Sequence, residues 1–395
     1  MKFLKNKGNI INCFFYIGFL TEIMIVLIDK SAYINPIEGT MFRIAFLLFG
    51  LKVLFTRYSR KEWLLIIGFC VLGVVSYLYA DRDEVLRIVM FVAASKNISL
   101  RKMMAITFYT VLTGILLLML LAVMGVFGTM TLDVDYGRGG VESRYCIGLG
   151  HPNALHCMIF TTLLLGMYLY LEKMKWNVFL LLFLGNIGLY TLTTSKTGLL
   201  IITATLCVGL LIRYGRGVRD SRWFYRAGIT VFTASVLFTL VMARFGYTQG
   251  PFRGLDILLN NRISYAILWG GMYKWNLFGH PALVETDYFD MGLSRLFYWY
   301  GYIPAAVYLL VNLFMLFYFY KKKDANAVLL IIMLTGYTTV EAHIISVYLA
   351  RNYILLLLIG TWSRIFHVTG PQEDYIWEVL WKILSGRIKV SKAYH

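Results

Sequence analysis

The sequence predicts an all-α polytopic membrane protein with about twelve transmembrane helices. Of its 395 residues, 59% are hydrophobic and only 15% are charged, a composition typical of integral membrane proteins. A helix needs about 20 mainly apolar residues to cross the hydrocarbon core, and a spanning segment must satisfy its own backbone polar groups. The apolar residues form continuous runs instead of alternating with polar ones, which favours helices over strands.

Twelve apolar runs are interpreted as membrane spans. They are Ile11–Leu27, Thr40–Phe55, Trp63–Ala80, Val85–Ser95, Met103–Val126, Ala154–Leu171, Trp176–Thr193, Gly198–Ile212, Ala227–Ala243, Leu293–Tyr320, Ala325–Ala342 and Val347–Trp362. The run Val85–Ser95 is the weakest, because it is short and contains Arg87. The pattern of charges between the runs is the reason for keeping it.

Basic residues recur in every second gap between the runs. If the N-terminus is cytoplasmic, the gaps on that side contain the clusters at 52–61, 96–102, 173–175, 213–226 and 321–323. Lysine and arginine concentrate in cytoplasmic loops, and omitting Val85–Ser95 would move most of these clusters to the other side. The sequence therefore predicts one transmembrane domain over residues 1–366, with both termini cytoplasmic.

The formal net charge of +17 is explained by this orientation and by attraction to anionic lipid headgroups. No compact basic domain is present that would bind nucleic acid. In the predicted cytoplasmic tail, residues 367–395, apolar side chains such as Trp377 and Trp381 recur at helical spacing. This spacing predicts an amphipathic helix on the inner membrane surface, with a solvent-exposed helix as the alternative.

Two predicted outer loops are long, residues 128–153 and 245–292, and loops of this length are usually functional. The first contains Arg144 and the sequence His151-Pro152-Asn153, where Pro152 is suited to begin the next helix. The second contains Arg262 at the start of an apolar stretch. From that stretch we predict a short helix at the membrane interface over residues 264–273. His280, Asp287 and Asp290 follow it.

Two shorter outer segments also contain polar groups. The turn at 193–198 includes Ser195 and Lys196, which either bind an anion or simply close the turn. Glu341 and His343 lie at the outer ends of the last two spans, where ionisable groups are costly unless they are paired or hydrated. A structural ion pair between Glu341 and Arg351 is the alternative to a substrate contact.

Four short patches resemble the Wzy-type polysaccharide polymerases, which are relatives of the O-antigen ligases. The segment 144–153, Arg-Tyr-Cys-Ile-Gly-Leu-Gly-His-Pro-Asn, is similar to the arginine, glycine and His-Pro-Asn motif of capsule polymerases. Residues 194–198 resemble a Ser-Arg-Thr/Ser-Gly turn, with Lys196 in place of arginine. Arg262 followed by residues 277–279 resembles the long outer loop of the family. Asp290 and Glu341 occupy positions similar to its acidic ones, although Met291 replaces an asparagine.

This resemblance implies an enzyme of a bacterial cytoplasmic membrane, without a metal or other cofactor. It would transfer a glycan from polyprenyl diphosphate to a sugar hydroxyl of another lipid-linked repeat unit at the outer face. Arginine is suited to hold the charge that grows on the leaving diphosphate. The implied partners are the lipid-linked oligosaccharide, membrane lipids, a flippase and a chain-length regulator, and not nucleic acid.

Roles follow for individual residues. The expected diphosphate and sugar ligands are Arg144, His151, Asn153, Ser195, Lys196, Arg262, Asp287 and His343. The acceptor hydroxyl needs a base, for which Asp290, His280 and Glu341 compete. A backbone-bonded structural role is an open alternative for His151.

Other functions fit the same sequence. A flippase or transporter of lipid-linked oligosaccharide would also have about twelve spans, but transporters usually carry paired halves and helix breaks near mid-membrane. A metal-dependent glycosyltransferase would use Asp133 and Asp135 to hold a divalent ion. An O-acyltransferase and a ligase that uses a different acceptor also remain possible.

Overall fold

The computed structural model describes residues 2–135, 140–246, 252–281 and 289–359. These residues form α-helices and one two-stranded hairpin. The helices are α1 (Lys2–Asp29), α2 (Glu38–Leu54), α3 (Arg60–Ala80), α4 (Glu84–Ala94), α5 (Leu100–Val123), α6 (Pro152–Tyr170), α7 (Trp176–Thr193), α8 (Lys196–Tyr214), α9 (Arg222–Phe245), α10 (Arg253–Leu258), α11 (Arg262–Gly270), α12 (Gly292–Tyr300), α13 (Tyr302–Lys322), α14 (Ala325–Val340) and α15 (Tyr353–Leu356).

Eight helices in the described part of the chain are long and apolar enough to cross a membrane. They are α1, α3, α5, α6, α7, α8, α9 and α13. Helix α14 is apolar but has only 16 residues. The protein is therefore an all-α membrane protein, as predicted, while the twelve predicted spans include segments that are shorter or broken.

The weakest predicted span, Val85–Ser95, is the short helix α4. Its 11 residues rise only about 16 Å, less than the thickness of a hydrocarbon core. The helix nevertheless reverses the chain, because its end lies beside the start of α3: Lys96 pairs with Glu62 at 2.7 Å, and the Tyr58 hydroxyl donates to Ala93 O at 2.8 Å. The chain thus returns to the end at which α3 began, which is the reversal that the charge pattern requires.

The predicted span Leu293–Tyr320 is wrong as one continuous helix. It is divided into α12 and α13 at Gly301, whose φ of +79° is readily adopted only by glycine. The segment before α12 packs into this break, where the Tyr302 N–H donates to Asn276 O at 2.9 Å. A side chain at position 301 would collide with the backbone N of Gly279, so the break also fixes the end of the second long loop.

Helix α14 is the centre of the bundle. Thirteen of its 16 residues are buried, and it packs against α6, α8, α9, α12 and α13. It ends at Val340, so Glu341 lies just beyond the helix and not within a span. The last predicted span, Val347–Trp362, is a 3-10 turn at Leu349–Arg351 followed by α15 as far as the structure describes it. The predicted tail, 367–395, lies outside the described residues.

Both long loops contain local structure. In the first, strands β1 (Thr131–Asp135) and β2 (Val141–Tyr145) form an antiparallel hairpin that the sequence analysis did not predict. In the second, α11 and the 3-10 turn after it fall in the region predicted to be a short helix. Asp256 caps α11 from the preceding helix, since its Oδ1 accepts the N–H groups of Ile263 and Ser264 at 3.0 and 3.1 Å.

Candidate functional site

A polar cavity of about 590 Å³ opens where several helices end. Its walls come from segments adjoining α1, α6, α8, α11 and α14 and from strand β2. Each of these segments belongs to a gap that the charge pattern assigns to the outer side. Nine of the predicted site residues line it: Arg144, His151, Asn153, Ser195, Lys196, Arg262, Asp290, Glu341 and His343.

Two predicted site residues are not in this group. Asp287 lies outside the described residues. His280 is not part of the cavity lining: its Nε2 faces the backbone O of Lys274, and its ring stacks on Tyr298 at 4.9 Å. Its backbone O accepts from Arg82 Nε at 3.0 Å. His280 is therefore packed against the neighbouring backbone, away from the other candidate bases.

Arg262 is the hub of the cavity, because three of its nitrogens donate to three different elements. Nε donates to Asp290 at 3.0 Å, Nη1 donates to the Thr197 hydroxyl at 3.2 Å, and Nη2 donates to Glu341 Oε1. Arg262 is 8% exposed. We call Arg262, Thr197, Asp290 and Glu341 the Arg262 group. It fixes α11 to the start of α8 and to the end of α14.

The two carboxylates of this group differ in environment. The side chain of Asp290 is 41% exposed, whereas that of Glu341 is 12% exposed. Burial raises the pKa of Glu341 to about 7, even though the neighbouring Arg262 acts to lower it, and the negative charge of Asp290 raises it further. A carboxylate with a pKa near neutrality is suited to accept a proton at physiological pH.

His151 caps the first turn of α6. Its Nδ1 accepts the N–H of Asn153 at 3.1 Å, which is a backbone bond of the kind that the structural alternative for His151 describes. Burial lowers the pKa of His151, so the ring is neutral at pH 7. Because Nδ1 accepts, we assign the ring hydrogen to Nε2. The N-terminus of α6 and the ring Nε2–H of His151 both favour a ligand that is anionic or carries a hydroxyl group.

The turn before α8 forms another wall of the cavity. Ser195 caps the helix by accepting the N–H of Gly198 at 3.4 Å, and Lys196 is exposed in the first turn. The segment thus closes a turn, as one alternative held, and also presents a cation to the cavity. The hydroxyl of Ser195 makes the cap, while the charge of Lys196 remains accessible.

Arg144 reaches the cavity from strand β2. It is 3% exposed and donates from Nε to Glu142 at 2.9 Å. Altogether, five cationic side chains and two carboxylates line the cavity in the described part of the chain, since Lys30 and Arg351 join Arg144, Lys196 and Arg262. This excess of positive charge fits a ligand with phosphate groups.

Lys30 and Arg351 form a second cationic cluster, which the sequence analysis did not assemble. Asp29 contacts both, Lys30 Nζ at 2.7 Å and Arg351 Nη1 at 3.9 Å. Arg351 Nη2 also lies 3.4 Å from His343 Nδ1. We call Asp29, Lys30, His343 and Arg351 the Arg351 group. The ion pair between Glu341 and Arg351, considered as the alternative to a substrate contact, is not formed, because Glu341 pairs with Arg262 and Arg351 with Asp29.

Four aromatic residues also line the cavity: Tyr265, Trp269, Phe289 and Tyr337. Tyr265 and Trp269 are four residues apart on α11, on one face of the helix, and both line the cavity. Aromatic rings present flat apolar surface beside polar groups, which is a common feature of ligand sites. Their spacing is visible in the sequence. Lys30 could also have been recognised, since it directly follows the first span in a gap with few cations.

The alternative metal site at Asp133 and Asp135 belongs to strand β1, and Asp133 is not among the described residues that line the cavity. Among the described residues, no cluster of three or more His, Cys, Asp or Glu side chains has the arrangement of a metal site.

Comparisons of the chain with protein-family models, with curated proteins and with solved structures found no match.

Proposed function

We propose that this protein is a polysaccharide polymerase of a bacterial cytoplasmic membrane. It would transfer a glycan from polyprenyl diphosphate to a sugar hydroxyl of a second lipid-linked repeat unit, at the outer face. The observation that supports this most directly is the Arg262 group, in which a buried carboxylate with a pKa near 7 contacts a buried guanidinium in a cation-rich cavity at the helix ends.

In the proposed mechanism, the donor diphosphate binds Arg262 by displacing the carboxylate of Glu341. Glu341 forms an ion pair with Arg262. A diphosphate that binds Arg262 and Lys196 would take the place of this carboxylate, since arginine forms charge-assisted, often bidentate, hydrogen bonds with phosphate. Glu341 is thereby released to face the acceptor hydroxyl. Binding of the donor and release of the base are coupled in this proposal.

The reaction then balances without a further reactant. The acceptor oxygen forms a bond to the anomeric carbon, while the bond from that carbon to the diphosphate oxygen breaks. The electron pair of the broken bond leaves with polyprenyl diphosphate, whose charge Arg262 and Lys196 stabilise. The hydroxyl proton passes to Glu341. His151 would orient a phosphate or sugar oxygen, and Tyr265 and Trp269 would hold the sugar rings.

The test is polymer formation by purified protein, reconstituted in vesicles with a defined lipid-linked repeat unit. Arg262→Gln should reduce the rate about 10²- to 10³-fold, as expected for loss of a preorganised cation at the leaving group. Arg216→Gln is the matched control, because Arg216 is exposed in the basic cluster that follows α8. Normal polymer from Arg262→Gln would refute the proposal.

The product separates this function from its alternatives. A ligase would move the glycan to an acceptor other than the repeat unit, and so would give no lengthened lipid-linked chain from this substrate alone. A flippase would change the side on which the repeat unit is found but not its length. Lengthened chains are therefore the result that only a polymerase gives.

A further inference from the structure

The hydrogen bonds of the Arg351 group are incomplete. Two buried nitrogens in it, His343 Nε2 and Arg351 Nε, have no hydrogen-bond partner among the described residues. His343 is 3% exposed and Arg351 is 9% exposed, and both line the polar cavity. A buried polar group without a partner is costly and calls for an explanation.

The tautomer of His343 shows that these groups are donors. Its Nδ1 lies 2.9 Å from Cys157 Sγ and 3.4 Å from Arg351 Nη2. Because a guanidinium can only donate, Nδ1 is the acceptor. Burial lowers the pKa of His343, so the ring is neutral and its hydrogen is on Nε2. The group thus has two N–H donors, on His343 and Arg351, for which the described residues supply no acceptor. The ammonium of Lys30, which pairs with Asp29, belongs to the same cluster.

An apolar cavity of about 230 Å³ lies on the other side of the same segment. Ala342 and His343 line the polar cavity, and Ile344 and Ile345 line the apolar one. The next turn separates the two cavities in the same way, since Arg351 lines the first and Asn352 the second. The remaining apolar walls come from α3, α4, α12 and α13, so hydrocarbon is the matching occupant.

We propose that Lys30, His343 and Arg351 form a second anion subsite, which holds the phosphate of a lipid whose hydrocarbon chain lies in the apolar cavity. Its assignment to the acceptor rests on the proposed function, since joining two lipid-linked units requires two such headgroups in one cavity. The Arg262 group holds the donor diphosphate, and the Arg351 group holds the acceptor diphosphate. Asp29 limits the charge of this subsite to about one unit, which favours exchange of the lipid.

The test measures binding stoichiometry by calorimetry with the purified full-length protein in detergent. The probe is farnesyl diphosphate, a short isoprenoid diphosphate, and inorganic pyrophosphate is the probe without a chain. We expect two molecules of farnesyl diphosphate per wild-type chain. Arg351→Gln and His343→Phe should each weaken one of the two sites about tenfold, the effect of losing one charge-assisted hydrogen bond. Arg262→Gln should weaken the other site, and Arg216→Gln neither.

A variant in the apolar wall tests the position of the chain. Val307 is half-buried on α13 and lines the apolar cavity. Val307→Trp should weaken farnesyl diphosphate at the second site while leaving inorganic pyrophosphate unchanged. Equal effects on both probes would overturn the placement of the hydrocarbon chain.

The remaining outcomes are decisive as well. A single binding site that only Arg262→Gln abolishes would overturn the second subsite and leave the proposed function intact. Two sites in a protein that makes no polymer would overturn the proposed function and leave the subsite intact. Displacement of farnesyl diphosphate from the second site by phosphatidylglycerol in mixed micelles would identify an ordinary membrane phospholipid as the occupant and reject its assignment to the acceptor.

Discussion

The two cationic groups of the cavity differ in how completely their hydrogen bonds are formed. Arg262 donates from three nitrogens to Asp290, Thr197 and Glu341, whereas Arg351 and His343 each retain a buried nitrogen without a partner in the described structure. A satisfied network fixes geometry, and an unsatisfied one provides binding capacity. In the proposed function, the first group would serve the chemistry and the second would hold a ligand.

The largest effect is expected at the carboxylate of the satisfied group. Glu341→Gln keeps a hydrogen-bond acceptor for Arg262 but cannot take up a proton, so the rate of polymer formation should fall about 10²- to 10⁴-fold, the usual contribution of a general base. Glu172→Gln is the control, because Glu172 also pairs with an arginine, Arg219, away from the cavity. A nearly normal rate for Glu341→Gln would transfer the role of base to Asp290.

The pH dependence of the rate of polymer formation should distinguish the Arg262 group from the Arg351 group. The base must be deprotonated, and the pKa of Glu341 is about 7. The rate should therefore fall about tenfold per pH unit below this value and level off above it. Arg351→Gln should lower the affinity for the acceptor without moving this profile, because Arg351 does not contact Glu341. A rate that is flat between about pH 5 and 8 would exclude Glu341 as the base.

A smaller effect is expected for the exposed carboxylate. Asp290→Asn removes the charge of one acceptor of Arg262, which weakens that hydrogen bond, but leaves Glu341 in place, so a loss of about tenfold is expected. It also removes a negative charge that raises the pKa of Glu341. The midpoint of the pH–rate profile should consequently move to lower pH. An unchanged midpoint, measured with the same vesicles, would show that the two carboxylates do not interact.

The smallest effect is expected for Asp256, which stabilises the helix that carries Arg262. Asp256 caps α11, whose first residue is Arg262. Asp256→Ala should lower the free energy of unfolding by about 1 kcal/mol, as loss of an N-terminal cap typically does. Thermal unfolding in detergent measures this. Asp220→Ala is the comparison, because Asp220 is exposed and pairs only with an exposed lysine in the described structure; an equal effect of both would contradict the capping role.

The sequence predicted the class of fold because hydrocarbon imposes a length and a composition on each span. It failed where tertiary contacts override this rule. Gly301 breaks a continuous apolar run because the segment at 276–279 packs into the break. Helix α4 is short, yet it reverses the chain through contacts with α3 that no local pattern reveals.

Much of the candidate site was predictable for a similar reason. Polar residues such as Arg262 and Glu341 are easily recognised at the ends of apolar runs. The ends of spans on one side of the membrane lie at the same surface, so these residues are expected to be close together. Which of them pair could not be predicted, because pairing depends on the packing of helices far apart in the chain. Asp29 and Arg351 are separated by most of the sequence, so only the folded structure shows that they meet.

The position of α14 has a consequence for the synthesis of the protein. Glu341 and Arg351 follow this central helix near the end of the chain, whereas Lys30 follows the first helix. A nascent chain that has inserted its early helices therefore contains only part of either group. The proposed enzyme would remain inactive until α14 and the segment that follows it have entered the membrane, and catalytic competence would report that this late step of insertion has taken place.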